Sequence, residues 1–296
     1  MTEATEAFET HRPVITGVAY RMLGRYADAE DVVQDAWLRW SAADRTEIRE
    51  PRAYLVRITT RLAIDRLRQA TARHETYVGP WLPEPVVTDF GGDVPDTADR
   101  ALLADSVSFA VLVVLESLSP LERAVFVLRE AFGFPFAEIA TTLERSEAAV
   151  RQLAGRARHH VEERRPRYDV DPAQRRALTE RFLAAAGGGD LGELLSLLAP
   201  DVVVVADAGG KAQAPRRMVE GPEKAGRLLV AIGEGMERLD ALFTEVNGGV
   251  GVVFSVDGKP DTVVQLEFAG GLVERVHIVR NPEKLAGVAP GRRPTL

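Results

Sequence analysis

The chain contains no cysteine among its 296 residues. That absence excludes a disulfide framework, a thiolate metal site and a cysteine nucleophile. Long hydrophobic runs are missing too: no stretch approaches the ~18 apolar residues of a membrane span, and residues 1–20 are polar and acidic, unlike a signal peptide. We therefore expect a cytoplasmic protein. The length and ordinary composition predict two or three compact units, each with its own core.

Lysine is absent until Lys211, so every cation before it is arginine or histidine. The formal net charge of −7 argues at first against nucleic-acid binding. The arginines are clustered, however, with six against two acids in residues 51–75 and seven against three acids in residues 145–167. Two basic segments in an acidic protein suit the binding of one polyanion at two places.

Hydrophobic periodicity divides the chain into parts of different character. Apolar residues at helical spacing predict helices at Val14–Leu23, Asp28–Trp40 and Pro51–Thr71, and again from Asp99 to Arg165. Prolines and glycines from Val78 to about Thr97 indicate a linker. The expected domains are 1–77 (helical), 78–98 (linker), 99–167 (helical), 168–286 (α+β) and 287–296 (a flexible tail).

The third domain changes from helical to strand-like patterns. Helices at about 173–186 and 190–198 precede the β-branched run Val202–Ala206. Further strands are predicted at about 250–256, 262–268 and 272–279, separated by the hairpin signals Asp257-Gly258 and Gly270-Gly271. We expect an α+β domain with its helices first and a curved antiparallel sheet after them.

The segment from Leu118 to Glu163 predicts a helix-turn-helix. Ser119, Pro120 and Glu122 form a capping-box pattern at the start of its first helix. A short helix over Pro135–Leu143, a turn, and a longer basic helix that begins after Ser146 complete the arrangement.

The last helix has two distinct faces. Val150, Leu153, Ala157 and Val161 form its buried stripe, while small, amide and basic side chains face away from that stripe. Such a face suits the major groove, where glutamine reads adenine and arginine reads guanine or holds phosphate. The alternative is a plain helical hairpin with a solvated arginine face. The candidate DNA-contacting residues are Ser146, Ala148, Arg151, Gln152, Arg156 and His159.

Three motifs together resemble the extracytoplasmic-function sigma factors of RNA polymerase. Residues 29–39 (AEDVVQDAWLR) and 51–68 resemble region 2 of that family, and residues 118–126 (LSPLERAVF) with 138–140 (EIA) resemble region 4. Their order and spacing agree over residues 10–165. The resemblance implies two partners: promoter DNA and core RNA polymerase, through the clamp helices of its largest subunit and the β flap.

The resemblance also assigns roles to individual residues. The polymerase-binding face would include Asp31, Gln34 and Asp35, with a solvated helix face as the alternative. Promoter contacts at the −10 element would come from Arg57, Arg61, Arg66 and Arg68, and residues 41–50 would capture a flipped base. The last helix would read the −35 element.

Further motifs resemble the subgroup of this family with a fused SnoaL-like domain, a cone of the nuclear-transport-factor-2 type. They are residues 81–85 (WLPEP), 281–285 (NPEKL) and 207–211 (DAGGK), the last with Ala208 where the pattern has glycine. The resemblance implies regulation in cis by this domain, without a separate anti-sigma protein. The candidate interdomain regulatory residues are Trp81, Pro83, Glu84, Asp207, Lys211, Asn281, Pro282 and Lys284.

We expect residues 81–85 to pack on the C-terminal domain near residues 207–211 or 281–285, and to set the placement of the two DNA-binding domains. A tryptophan between prolines has a large apolar area to bury. The alternative is a stiff linker with an exposed ring.

Catalysis is not expected, and the sequence implies no metal or cofactor. Asp207, Lys211 and His277 are candidates for a pocket in the third domain, although a lone histidine on a strand is more often a packed residue. Two other functions remain open: a one-component regulator with a ligand-binding domain, and a SnoaL-like isomerase with an accessory DNA-binding domain. Both leave residues 10–75 unexplained.

Overall fold

The computed structural model describes residues 3–44, 48–74, 77–87, 108–164, 171–236 and 239–288. The chain forms two compact units, one of residues 1–76 with 96–165 and the other of residues 77–95 with 166–296. Residues 77–87 thus belong to the C-terminal unit, whereas the sequence predicted a helical domain up to Tyr77 and a linker from Val78. The later linker residues and the end of the tail lie outside the described residues. Among the described helices, none has the length and apolar composition needed to cross a bilayer.

The first unit begins with three packed helices, α1 (Glu3–Leu23), α2 (Tyr26–Ala42) and α3 (Pro51–His74). Helix α1 starts earlier than the sequence predicted, because Ala4 and Phe8 extend its apolar stripe into a polar segment. Phe8 lies edge-on to Trp37 at 5.0 Å between ring centroids. The Trp40 indole donates a hydrogen bond of 2.8 Å to the Ala4 carbonyl, which fixes the start of α1 against α2.

The second helical domain contains the predicted helix-turn-helix. Its elements are α4 (Phe109–Leu115), α5 (Pro120–Phe126), a π-helical turn (Val127–Ala131), α6 (Phe136–Leu143) and α7 (Glu147–Arg164). The capping box is confirmed: the Glu122 N–H donates to the Ser119 hydroxyl, and Glu122 accepts from the Ser119 N–H. Glu144 adopts the left-handed conformation (φ 53°) that turns the chain between α6 and α7.

A buried guanidinium joins the two helical domains. Arg123 of α5 is 2% exposed and donates hydrogen bonds to the Leu115 carbonyl at 2.7 Å and to the Met22 carbonyl at the end of α1 at 2.6 Å. It also pairs with Glu116 at 2.8 Å. Arg123 therefore couples the two domains, because it donates to a carbonyl of the first domain while its other partners belong to the second.

The C-terminal unit is the expected α+β cone. Its helices are α8 (Pro172–Gly187), α9 (Leu191–Leu197), α10 (Pro222–Met236) and α11 (Pro282–Leu285). Its strands are β1 (Leu198–Asp207), β2 (Val219–Glu220), β3 (Asp240–Val246), β4 (Gly249–Val256), β5 (Lys259–Ala269) and β6 (Leu272–Val279). The sequence reading missed α10, β2 and β3.

The sheet has the order β2-β1-β6-β5-β4-β3 and is not wholly antiparallel, as the sequence had suggested. Strands β1 and β6 pair in parallel, with Val204 opposite Val276. This pairing is possible because α10 and four other strands lie between β1 and β6 in the chain, which is long enough for a crossover connection. The predicted hairpin at Asp257-Gly258 is confirmed, and both residues adopt positive φ.

Helices α8, α9 and α10 cover one face of the sheet and form the core with residues such as Phe182, Leu229 and Val276. At Gly233 of α10 the helices approach very closely, since an added Cβ would lie 2.2 Å from the Ala186 carbonyl oxygen of α8. Side chains on the opposite face include His277, whose Nε2 lies 2.6 Å from the Glu267 carboxylate.

We expect Gly233→Ala to destabilise the protein by about 1–3 kcal/mol, because the methyl group overpacks the contact between α8 and α10. Gly235→Ala is the matched control on the same helix, where an added Cβ meets nothing within 4 Å. That substitution should be neutral or stabilising. Calorimetric unfolding of both variants checks the pair, and equal transition temperatures would contradict the close approach.

Candidate nucleic-acid interface and linker anchor

The candidate DNA-reading face of α7 is open to solvent. Its six candidate residues, Ser146, Ala148, Arg151, Gln152, Arg156 and His159, are all exposed. The opposite stripe is buried and includes Val150, Ala154 and Ala157, whereas Leu153 is half-buried. Ser146 caps the helix by accepting the Ala149 N–H at 3.2 Å. The helix therefore presents one polar and basic face while its apolar face packs on α5 and α6.

Ion pairs with neighbouring carboxylates orient the arginines of this face. Arg156 Nε lies 2.9 Å from Glu122, and Arg151 pairs with Glu147 while its guanidinium lies 4.6 Å from the centroid of the Phe136 ring. The pKa of Glu122 lies below its ordinary value, mainly because the Ser119 hydroxyl donates a hydrogen bond to its carboxylate. The hydrogen bond and positive charge of Arg156 lower this pKa further. Exposed pairs of this kind contribute less than about 1 kcal/mol, so a phosphate can replace the carboxylate.

Helix α3 separates its four candidate arginines into two sets. Arg57, Arg61 and Arg68 follow one stripe, whereas Arg66 lies on the opposite side of the helix. Arg66 pairs with Asp28 and Asp31 of α2, Asp28 at 3.3 Å. Arg61 donates to the Thr142 carbonyl at 2.9 Å and pairs with Glu144 at 2.9 Å, both in the helix-turn-helix.

The candidate polymerase-binding residues share an exposed face of α2. Asp31, Gln34 and Asp35 are all exposed, and Arg66 orients Asp31. Leu38 continues the same face one turn later and is 57% exposed. Sequence reasoning missed Leu38, although its spacing from Asp31 and Gln34 was a usable signal. Residues 45–47 of the expected base-flipping loop lie outside the described residues.

A buried carboxylate connects the linker segment to the C-terminal domain. Asp207, at the end of β1, is 0% exposed. One of its carboxylate oxygens accepts from the Tyr77 hydroxyl at 2.6 Å, and the other accepts from the Leu82 N–H at 2.8 Å. The second oxygen also accepts from Lys284 Nζ at 2.7 Å. Asp207 therefore binds two segments that lie far from it in the chain.

Lys284 completes this cluster from the C-terminal side. It is 1% exposed, donates to the Leu82 carbonyl as well as to Asp207, and lies 3.8 Å from the centroid of the Trp81 ring. The face of the Trp81 ring thus adds a cation–π contact to the hydrogen bonds and the ion pair of the buried Lys284 ammonium group. We call Tyr77, Trp81, Leu82, Asp207, Asn281 and Lys284 the linker anchor.

The glycine-rich loop fits the linker anchor closely. Gly209 adopts φ 56°, and an added Cβ there would lie 2.5 Å from the Asn281 amide nitrogen. Asn281 donates to the Tyr77 hydroxyl at 2.9 Å. Ala208, which departs from the family pattern, is not among the described residues with positive φ. The departure therefore falls at a position that needs no glycine.

Further along, the segment attaches to the edge of the sheet. The Val86 N–H donates to the Asn247 side chain at 3.0 Å, and the Asn247 N–H donates to the Val86 carbonyl at 2.8 Å. Val87 forms an antiparallel bridge with Val246. Pro83 and Glu84 are buried between these two attachments. Residues 77–87 thus cross the domain from the linker anchor to the hairpin between β3 and β4.

The structure does not bring Asp207, Lys211 and His277 into one pocket. Asp207 belongs to the linker anchor, Lys211 is exposed and pairs with Glu283 beside Pro282, and His277 pairs with Glu267 on the sheet face away from α8 and α10. Within the described ranges, no group of three or more histidines and carboxylates could hold a metal ion.

Comparison with known proteins agrees with the motifs. Sigma-70 region 2 matches residues 7–73, and Sigma-70 region 4 matches residues 108–161. The chain is 42% identical to the ECF RNA polymerase sigma factor SigJ of Mycobacterium tuberculosis, over 95% of this chain and 92% of that protein. It is 34% identical to a second protein of that organism, named "Probable ECF RNA polymerase sigma factor SigI", over 94% of this chain and 93% of the relative.

A solved structure shows the same architecture. The crystal structure of M. tuberculosis SigJ superposes with a TM-score of 0.77 and 38% sequence identity, covering 97% of this chain and 100% of that one. The likeness therefore extends over the helical domains and the α+β cone.

We expect Lys284→Met to release residues 77–87, because it leaves Asp207 buried and unpaired, at a cost of about 3–5 kcal/mol. Hydrogen exchange of the Leu82 and Val86 amides should become much faster. Lys211→Met removes an exposed ion pair and should change the free energy of unfolding by less than about 1 kcal/mol. Unchanged exchange in Lys284→Met would contradict the role given to this lysine.

Proposed function

The chain belongs to the extracytoplasmic-function family of RNA polymerase sigma factors, and from this premise we propose how it works. Region 2 reads the −10 element, region 4 reads the −35 element, and the C-terminal domain modulates both in cis. The protein is a transcription initiation factor and not an enzyme. Its partners are core polymerase and promoter DNA, its place of action is the cytoplasm, and no separate anti-sigma protein is required.

The exposed face of α2 is the proposed polymerase contact. Two carboxylates and an amide stand beside Leu38, whose apolar side chain is 57% exposed. Protein interfaces combine such an apolar centre with a polar rim. Asp31, Gln34 and Asp35 would make the polar contacts to the clamp helices, and Leu38 would be buried on binding. The β flap would be contacted by region 4.

The two DNA-contacting helices differ in what they offer. On α7, Gln152 and the small side chain of Ala148 lie where a helix in the major groove meets base edges, and Arg151 and Arg156 flank them. On α3, the stripe of Arg57, Arg61 and Arg68 suits phosphates and a separated strand. We assign Arg66 to the support of Asp31 because it faces α2.

Regions 2 and 4 must separate before both promoter elements can be bound. The names of the elements place them about 25 base pairs apart, which is roughly 85 Å of B-DNA at 3.4 Å per base pair. In the free protein Arg61 of α3 lies 2.9 Å from the Thr142 carbonyl of α6, and Arg123 ties α5 to the end of α1. We infer that this closed arrangement opens when the polymerase binds.

The linker anchor is the observation that carries the proposal of regulation in cis. Only residues 75–76 connect α3 to the anchored segment 77–87, and residues 165–171 connect α7 to α8. While the anchor is formed, only a short stretch of chain therefore separates the C-terminal domain from each of the two DNA-contacting helices, α3 and α7. A domain tethered in this way sets the length of the linker between the two DNA-contacting domains. Once one of these domains is bound to its promoter element, that linker determines the effective concentration of the other domain at its own element.

The test of the proposed function is transcription by purified core polymerase supplied with the full chain. The template carries the promoter region upstream of the protein's own gene. We expect initiation at one defined site only when the protein is present. Absence of both initiation and core binding would contradict the proposal.

Charge reversal tests the polymerase-binding face. We expect Asp35→Lys to weaken binding to core polymerase, since it places a cation in the centre of an acidic contact. Glu6→Lys, a charge reversal at another exposed position, on α1, should bind core polymerase like the wild type. The affinities can be measured by fluorescence titration of labelled core. Equal losses in the two variants would indicate a general charge effect instead of a contact at Asp35.

Cross-linking tests the opening of the first unit. Ala53 and Glu138 are both exposed and line one cleft of about 590 Å³ between regions 2 and 4. Because the chain lacks cysteine, Ala53→Cys with Glu138→Cys can be joined by a reducible bismaleimide without competing thiols. We expect the joined protein to fail in transcription and to recover when the linker is cleaved.

The control for this experiment is each single cysteine variant carrying the same reagent, which should retain transcription. A joined protein that still initiates at the normal site would contradict the need for opening.

A further inference from the structure

The C-terminal domain contains a cavity of about 400 Å³ on the face of the sheet opposite His277. Its walls include Phe182 and Leu183 of α8, Ile232 of α10, Phe243 of β3 and Phe254 of β4. Protein interiors are close-packed and rarely leave voids larger than a water molecule. Pockets for small ligands typically measure about 300–1,000 Å³, so this volume lies within their range.

The cavity cannot close by a movement of its two helices towards each other. Gly233 and Ala186 both line it, and an added Cβ on Gly233 would lie only 2.2 Å from the Ala186 carbonyl oxygen. The backbones of α8 and α10 are therefore already at their closest approach beside the cavity. The space is part of the folded domain and does not depend on loose packing of the helices.

The walls are almost entirely hydrocarbon. Among the described residues that line the cavity, Glu180 is the one with an ionisable side chain. Its half-exposed carboxylate pairs with Arg176 at 3.1 Å, and the Arg176 guanidinium lies 5.6 Å from the Phe243 ring. The described charges near the cavity are thus paired with each other at its rim, and no described lining residue other than Glu180 has a side-chain donor or acceptor.

We propose that this cavity binds a small, uncharged molecule with a hydrocarbon body. A charged or strongly polar group would lose its water inside the cavity without gaining a partner, which is costly. Binding without turnover is expected, because the buried pair of His277 and Glu267 lies on the other face of the sheet. The ligand would contact α8, the first described helix after the DNA-reading helix α7. This inference goes beyond the proposed role in transcription.

The test uses the full chain and N-phenyl-1-naphthylamine, a neutral dye that fluoresces in apolar surroundings. We expect saturable binding at one site per chain. Ala241 is exposed and lines the cavity on β3, so Ala241→Trp should block it and weaken binding by about tenfold or more. Ala231→Trp, on an exposed position of α10 outside the lining, should bind like the wild type.

Absence of saturable binding, or equal binding by the two tryptophan variants, would overturn the assignment. Competition distinguishes the class of ligand: decanol should displace the dye and decanoate should not. Displacement by decanoate as effective as that by decanol would contradict an uncharged ligand. Because neither polymerase nor DNA is present, failure here leaves the proposed sigma function standing.

Discussion

The buried ion pair of Asp207 and Lys284 is the interaction on which the organisation of the C-terminal unit depends. Burying two charges is costly unless each finds further partners. Here Asp207 also accepts from Tyr77 and Leu82, and Lys284 also donates to the Leu82 carbonyl and lies against the Trp81 ring. The pair is therefore satisfied only when residues 77–87 are in place, and the segment that follows region 2 becomes part of the C-terminal domain.

In the helical unit, the burial of an arginine determines whether its guanidinium connects parts of the structure or is available to DNA. Arg123 is enclosed and joins the two sigma domains through backbone carbonyls. Arg151 and Arg156 are exposed, with weak carboxylate partners that DNA phosphates can replace. The same residue type thus provides a structural connection in one place and a candidate nucleic-acid contact in another.

Local signals predicted much of this structure. The capping box at Ser119, the turn before Ser146 and the hairpin at Asp257-Gly258 depend on neighbouring residues, so the sequence could reveal them. The parallel pairing of β1 with β6 is set by contacts between distant segments, which periodicity does not record. Similarly, nothing local distinguishes exposed Lys211 from buried Lys284. The family motif was the only signal for residues 281–285, whereas residues 81–85 also contain a tryptophan with a large apolar area to bury.

The central claim is that the linker anchor, through Lys284, controls how the sigma domains act on a promoter. The most direct measurement is the yield of the specific transcript from core polymerase saturated with wild-type protein, Lys284→Met or Lys211→Met. The account predicts that Lys284→Met departs from the wild-type yield while binding core normally, and that Lys211→Met does not depart from it. Equal yields from all three proteins, with residues 77–87 shown to be released in Lys284→Met, would contradict the account.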